Sequence, residues 1–415
     1  MREARLLALV LVLSAPGIAL AGAGDPELLP KFNRAAPSPR VSPEKAAPKA
    51  AASAPAEAEP REELPAVVRP PRKRPVFEDQ EEHSRPKFVL RSRAWLTSGS
   101  LDTRFTFMVP PAQVTPAGLT VHLGETQEHR SDGLMLVNGA EVAPLPWLSF
   151  QAEYGQSRHS GSYRDRYWVD AKDANPLTYI PTDTKWYHPD HEDDLVAGAD
   201  LDARRDWISG TLYLRAWDGI IGGTDYFKLR HSLDIGLGGQ RYRQYSRMTK
   251  LVVLGNAGKY YQPALGAGAI AGYDSSYEGV FSGPHLALRD EVSGFYGFSM
   301  EALFVYSPIM SYRGTGHDNF QGALGTLGAM QQAVLLRPAA PNFKDSAGAT
   351  AVHFAITGGW DWRWLRLEAG YQRLYFYTRT GSRRYYNADG TTTDVSLDFA
   401  TAELGGIFGG ASVRF

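Results

Sequence analysis

No cysteine occurs in this sequence. That absence excludes a lipidated amino terminus, structural disulfides, thiol catalysis and thiolate metal sites together. Charge of one sign is missing too: 44 Lys and Arg against 45 Asp and Glu leave a net charge of −1, which gives no bulk electrostatic attraction to nucleic acid. Beyond the amino-terminal twenty-odd residues, no stretch approaches the roughly 18 consecutive apolar residues that a membrane-spanning helix needs. Gly-x-Ser-x-Gly, His-Glu-x-x-His and phosphate-loop patterns are also lacking, so the common soluble-enzyme mechanisms find no support. What the chain holds instead is 42 glycines and 12% aromatic residues within an ordinary 43% hydrophobic content. That is the profile of a strand-rich membrane barrel.

Both ends agree with this. Gly409-Gly410-Ala411-Ser412-Val413-Arg414-Phe415 alternates with the two-residue period of a strand, Ala411, Val413 and Phe415 on one face, and an aromatic last residue marks bacterial outer-membrane β-barrels. At the other end Arg2 and Arg5 precede an apolar run from Leu6 to Leu20, followed by the small residues of a signal-peptidase site, so residues 1–21 read as a signal peptide. From Pro26 to Pro86 the chain is rich in Pro, Ala, Glu, Lys and Arg, with Phe32 and Phe77 its only aromatics. Such composition cannot bury a core, so residues 22–86 read as a disordered periplasmic linker. Extended proline-rich chain of this length reaches on the order of 150 Å, at roughly 3.1 Å per residue. The expected partner of residues 26–86 is a periplasmic protein or the cell wall.

Residues 87–415 read as the barrel. Leu148, Phe150, Ala152 and Tyr154 alternate with Ser149, Gln151, Glu153 and Gly155; comparable runs surround Leu212 and Leu367. Glu153, Arg215, Glu301, Arg366 and Glu368 fall on the polar face, which predicts a lumen crossed by charge pairs. Short connections at 144–147, 218–224, 289–294 and 361–363 alternate with long ones near 108–126, 160–193, 247–267, 313–349 and 379–397. Nine connections give ten strands, hence an all-β fold: a transmembrane antiparallel β-barrel with both termini on the short-turn side. Trp95, Trp147, Trp207, Trp217, Trp360, Trp362 and Trp364 are expected in the aromatic girdle.

Several stretches resemble the omptins, the outer-membrane proteases of enteric bacteria. Leu96-Thr97-Ser98-Gly99 with Arg104 looks like the first omptin strand, and Gly139-Ala140 through Leu145-Pro146 like its first periplasmic turn. Asp165-Arg166-Tyr167-Trp168-Val169-Asp170, Asn175-Pro176, Thr178, Asp183 and His188-Pro189-Asp190 follow the order of the omptin loop-one series. Gly239-Gln240 to Arg243, Ile270 to Tyr273, and Tyr306-Ser307 continue it, so the resemblance spans most of residues 90–415.

The resemblance implies a water held between an Asp-His couple and two aspartates on the opposite wall. Asp165 stands at the first aspartate position, but Tyr167 stands at the second. The Asp-x-His of the other wall is replaced by Gly316-His317-Asp318, and Thr103 stands at an acidic position that grips basic side chains. Asp165, Asp170, His317 and Asp318 are the catalytic candidates, brought together if β-bulging near Gly314 and Gly316 shifts facing by one residue. Arg241, Arg243 and Arg247 are lipopolysaccharide-binding candidates, Arg243 at the matching omptin position, because guanidinium forks suit phosphate. No metal or other cofactor is expected, and the His188 to Asp194 run reads as a solvated acidic loop.

The broken positions and the added linker point to a non-catalytic barrel in an envelope-spanning assembly for secretion, polysaccharide export or motility. The alternative is a surface endopeptidase of omptin type that cleaves near basic residues.

Overall fold

A computed structural model describes residues 86–109, 120–172, 195–224, 227–256, 268–269, 272–319, 337 and 339–415. Among these, twelve strand segments form one antiparallel sheet and no helix occurs. They are β1 (Phe88–Val109), β2 (Thr120–Leu145), β3 (Leu148–Lys172), β4 (Leu195–Thr224), β5 (Phe227–Asn256) and β6 (Gly268–Ala269). There follow β7 (Asp274–Phe295), β8 (Phe298–His317), β9 (Phe343–Trp362), β10 (Leu365–Thr378), β11 (Gly381–Tyr386) and β12 (Thr392–Arg414). The sheet closes on itself, since β1 pairs β12 from Val89↔Arg414 to Thr106↔Ser396. β10 and β11 each lie between β9 and β12 and form one wall, interrupted where the Arg379 N–H bonds the Gly348 carbonyl at 2.8 Å. β6 is a two-residue pairing on β5. The ring therefore has ten walls, as the alternating runs predict.

Burial alternates along the walls, with the phase changing at the register shifts. The outward face between Phe150 and Tyr154 on β3, Leu214 and Ile208 on β4, and Phe298 and Tyr306 on β8 is apolar and exposed, a band that lipid covers. Towards the long-loop end this band gives way to outward ion pairs, among them Arg158–Asp202 at 2.7 Å, Arg243–Glu278 at 2.8 Å and Lys250–Asp200 at 2.9 Å. Such charges mark where the strands leave hydrocarbon. Trp147, Trp217, Trp360, Trp362 and Trp364 stand outside at the short-turn end. Trp95 and Trp207 do not join them: both are buried in the lumen, because each shares the parity of inward residues, Arg93 and Thr97 for one, Arg205 for the other.

Two predicted turns are strand. β4 continues through 218–224 to pair Thr224 with Phe227, and β7 continues through 289–294. The β7–β8 turn falls at Tyr296 and Gly297, whose φ values of 48° and 80° are those of a type I′ hairpin. At the long-loop end the strands likewise run further than alternation alone suggests, and β11 occupies part of the stretch read as a loop near 379–397.

Candidate functional site

The lumen contains two side-chain assemblies. At the short-turn end, arginines and carboxylates on alternate inward positions interlock. Arg289 meets Glu141 at 3.0 Å and Asp234 at 2.7 Å, and lies 4.3 Å over the Tyr213 ring. Arg93 meets Glu368 at 2.6 Å and Glu153 at 3.4 Å, Arg366 meets Glu291 at 3.0 Å, and Arg215 meets Asp234 at 3.0 Å. The five residues read as lumen charges are thus inward, and Arg91 joins the same layer. Buried charges are tolerable only when paired this closely.

At the long-loop end, where the omptin resemblance places catalysis, the interior is built differently. Arg383 on β11 is fully buried, with its guanidinium carbon 3.4 Å from the Phe105 ring centre and 4.0 Å from that of Phe343. It donates two hydrogen bonds to Asp345, at 2.7 and 3.0 Å, and a third to Tyr385 at 3.3 Å. Tyr277 donates to the same Asp345 carboxylate at 2.5 Å and bonds Tyr312. His129 stacks on Tyr277 with ring centres 5.6 Å apart and lies 5.0 Å from Tyr163; its Nδ1 bonds the Leu101 carbonyl oxygen at 2.9 Å. Aromatic rings and a bidentate arginine pair thus fill the upper lumen.

The four catalytic candidates separate in this frame. Asp165 points inward, is buried, and accepts a hydrogen bond from Tyr163 at 3.0 Å. Asp318 follows β8 and is held by Asn342, whose side chain accepts from the Asp318 N–H at 2.9 Å and donates to its carbonyl at 2.8 Å. Burial, then the Glu125 carboxylate, and further the Asp345 carboxylate push the Asp318 carboxyl up to about 7, against the opposing pull of Arg383. Tyr163 and Tyr273 each lie within electrostatic reach of Asp165, Asp318 and Glu125, and burial with Asp318 nearby pushes the Tyr273 phenol well above its ordinary value. Asp165 and Asp318 therefore belong to one acidic cluster.

His317 does not belong to it. Its alternation with buried Gly316 turns it to the outer face, near Asp274 and its partner Arg247. The expected bulge at Gly314 and Gly316 is not there: β8 runs in unbroken register with β7 from Gly279↔Gly314 to Ser276↔His317. The register shift lies lower, between Ser307 and Met310, and it is this shift that puts Gly314 and Gly316 inside and His317 outside. A Cβ on Gly316 would stand 1.9 Å from the Phe343 ring, so the ring occupies the space of the missing aspartate. Asp170 lies on β3 opposite His122; its side chain, like Asn175-Pro176, His188-Pro189-Asp190 and Ile270, lies outside the described residues. Thr103 is buried and bonds Gln127 at 3.3 Å.

Arg241, Arg243 and Arg247 all project from the outer face of β5. Arg243 pairs with Glu278 at 2.8 Å, Arg247 pairs with Asp274 at 2.7 Å, and Arg241 is exposed. Sequence reading missed Arg383, Phe343, Asp345 and Asn342. They lie in stretches read as long loops, and only the Arg383–Arg384 doublet flanked by Tyr385 and Tyr386 hinted at anything but loop.

No family model and no curated protein sequence matches this chain. Among solved structures it is similar to the outer membrane protease OmpT from Escherichia coli, with a TM-score of 0.55 at 10% identity, over 79% of this chain and 96% of that one. It also aligns with the translocator domain of the autotransporter NalP from Neisseria meningitidis, at 10% identity and a TM-score of 0.26 over 80% of this chain and 90% of that one. The chain has an outer-membrane β-barrel fold of omptin type. At such identity the likeness concerns the fold alone.

Proposed function

We propose that this protein is a non-catalytic omptin-like barrel of the bacterial outer membrane, anchoring an envelope-spanning assembly for secretion, polysaccharide export or motility through residues 22–86 on the periplasmic side. One observation carries the first half: Phe343, with Arg383 against its ring, fills the space over Gly316 where the acid of an Asp-His couple would have to stand, and His317 faces away. The second half rests on the polar, proline-rich composition of the amino-terminal segment and on its length, which if extended would cross much of a periplasm. On the outer face Arg241, with Arg243 and Arg247 in exchange with their carboxylate partners, would meet lipopolysaccharide phosphates.

A second reading has one observation in its favour. Buried Asp165 and half-buried Asp318 share one acidic cluster, and a carboxyl pushed to about 7 can serve as an acid near neutral pH, as an endopeptidase needs. The test is hydrolysis of peptides with paired basic residues by purified protein reconstituted with lipopolysaccharide, compared with Asp165→Asn and Asp318→Asn. No turnover above the variants is expected; turnover lost in both would establish the endopeptidase. For the anchoring role, deletion of residues 26–75 should leave the barrel inserted and remove periplasmic proteins from a crosslinked pull-down. Recovery of the same proteins after the deletion would refute it.

A further inference from the structure

Between its two assemblies the lumen carries a third set of side chains. On β1 Trp95 lies between Arg93 and Phe105, on β7 His285 lies between Arg289 and Phe281, and on β10 Gln372 lies between Glu368 and Phe376. Phe281 belongs to the upper rings, with centres 4.6 Å from Tyr312 and 5.1 Å from Phe376. Trp207 on β4 meets the His353 ring of β9 edge-on, centres 5.5 Å apart. His353 stands within electrostatic reach of His285, whose Nε2 bonds Thr211 at 2.8 Å. Gln372 is opposite Gly406 on one side and Ala355 on the other, and His353 is the next inward residue after Ala355 on β9. A Cβ on Gly406 would stand 3.3 Å from Trp95 Nε1. The five side chains thus form one belt.

All five are 3% exposed or less, yet six of their polar atoms have no hydrogen-bond partner among the described residues. These are Nε1 of Trp95 and of Trp207, Nδ1 of His285, Nε2 of His353, and both amide atoms of Gln372. Turning the Gln372 amide over changes nothing, because its oxygen and its nitrogen alike lack a partner. The plug above differs, since Arg383, Asp345 and Tyr277 satisfy one another. Six buried polar atoms left dry would cost a large share of a domain's net stability, so partners must come from outside the chain. Indoles only donate, the amide does both, and each imidazole nitrogen does one or the other, so the partner must donate and accept. It is also uncharged, because the charges nearest His353 are Arg93 and Glu153, which meet each other at 3.4 Å. Water fits both conditions.

We propose that this belt is a binding site for a cluster of water molecules, held between the charged layer and the aromatic plug as a permanent part of the fold. With no side chain at Gly406 and only a methyl at Ala355, the Gln372 amide is open to it on both sides. The indoles of Trp95 and Trp207 donate into it from β1 and β4, and the imidazoles of His285 and His353 complete it from β7 and β9. Waters that bridge these groups tie five walls together across the lumen.

The test uses the full chain, labelled with nitrogen-15 at tryptophan and folded in detergent, with Trp95→Phe and Trp207→Phe to assign the two indole signals. Both indole N–H groups should show magnetisation transfer from water in the rotating frame, where direct contact and hydrogen exchange have opposite signs. No direct water contact at either indole would overturn the proposal. A second measurement does not depend on the tryptophans. Gln372→Met keeps the shape of the side chain and removes its polar atoms, so in a hydrated belt the denaturant midpoint should stay or fall. In a dry interior the same change would relieve two partnerless atoms and raise the midpoint, and a rise would overturn the proposal. Heat-modifiable migration checks that each variant folds.

Discussion

The two halves of the lumen solve one problem by different means. A barrel of ten walls leaves an interior that side chains must fill, and the short-turn half fills it with charge. There most arginines have more than one carboxylate: Arg289 has Glu141 and Asp234, and Arg93 has Glu368 and Glu153. The long-loop half fills it with rings around one fully buried pair, Arg383 and Asp345. A shared network tolerates the loss of a member, because the remaining partners still compensate it. An isolated buried pair does not, since removing one charge strands the other in a low dielectric. The upper half should therefore be the more brittle.

The sharpest break of this comparison is a pair of single substitutions. Arg383→Ala should cost about 3–5 kcal/mol in denaturant unfolding in detergent, because it leaves the buried Asp345 carboxylate without its cation, with the Tyr277 hydroxyl still bonded to it. Glu368→Gln should cost about 1–2 kcal/mol, since Arg93 keeps Glu153. Equal losses would mean that the lower network is no more redundant than the upper pair. Next comes Gly316→Asp, which restores the missing acid of the omptin pattern but collides with Phe343. It should destabilise by about 1–3 kcal/mol without conferring peptide hydrolysis, and Phe343→Ala in the same chain should recover part of the loss by opening room. A cost that Phe343→Ala leaves unchanged would place the conflict elsewhere.

The same contrast explains what the sequence reveals. The lower network stands on Glu153, Arg215, Glu301, Arg366 and Glu368, each on the polar face of a regularly alternating run, so parity alone directs them inward. Parity also misplaces Trp95 and Trp207 when residue type is allowed to override it: indoles suggest a girdle, but their odd-numbered neighbours are inward. The upper cluster is hidden for three physical reasons. A bulge between Ser307 and Met310 reverses the facing of β8, and local sequence carries no phase information past it. Phe343 crosses to Gly316 over a gap in sequence that reads as loop. β11 resumes the wall of β10 after a two-residue break, so Arg383 appears as a loop residue although it is the centre of the plug. In the upper site Asp165 and Asp318 are legible beforehand, through the omptin resemblance, and the partner Asp165 finds there is Asp318, not His317.

A smaller effect separates the halves by pH. Asp318 has a carboxyl raised to about 7 in the folded protein, against an ordinary value near 3.8. The folded state therefore binds more protons than the unfolded one between those values, so stability is fully present below about pH 4 and declines as pH rises towards 7. Asp318 is only half-buried, so the decline should be discounted to on the order of 1–2 kcal/mol. Asp318→Asn should flatten that decline when unfolding is followed from pH 4 to 8. A decline of the same size in the variant would assign it to another group.

The smallest expected signal is ionic current. Two plugs in series mean that neither alone decides conduction: trimming the upper one with Arg383→Ala and Phe343→Ala leaves Arg289, Arg93 and Arg366 locked to carboxylates below. Planar bilayers containing the native chain should show no steady channel, and those containing the upper double variant should show none either. Lower-network substitutions alone, Arg93→Ala with Arg289→Ala, should also fail to conduct while Phe105, Phe343 and Arg383 stay stacked. Current should appear only when both layers are trimmed together. A steady channel from the upper variant alone would show that the charged layer leaks, and the lower arginines would then act as a selectivity lining for small ions instead of a seal.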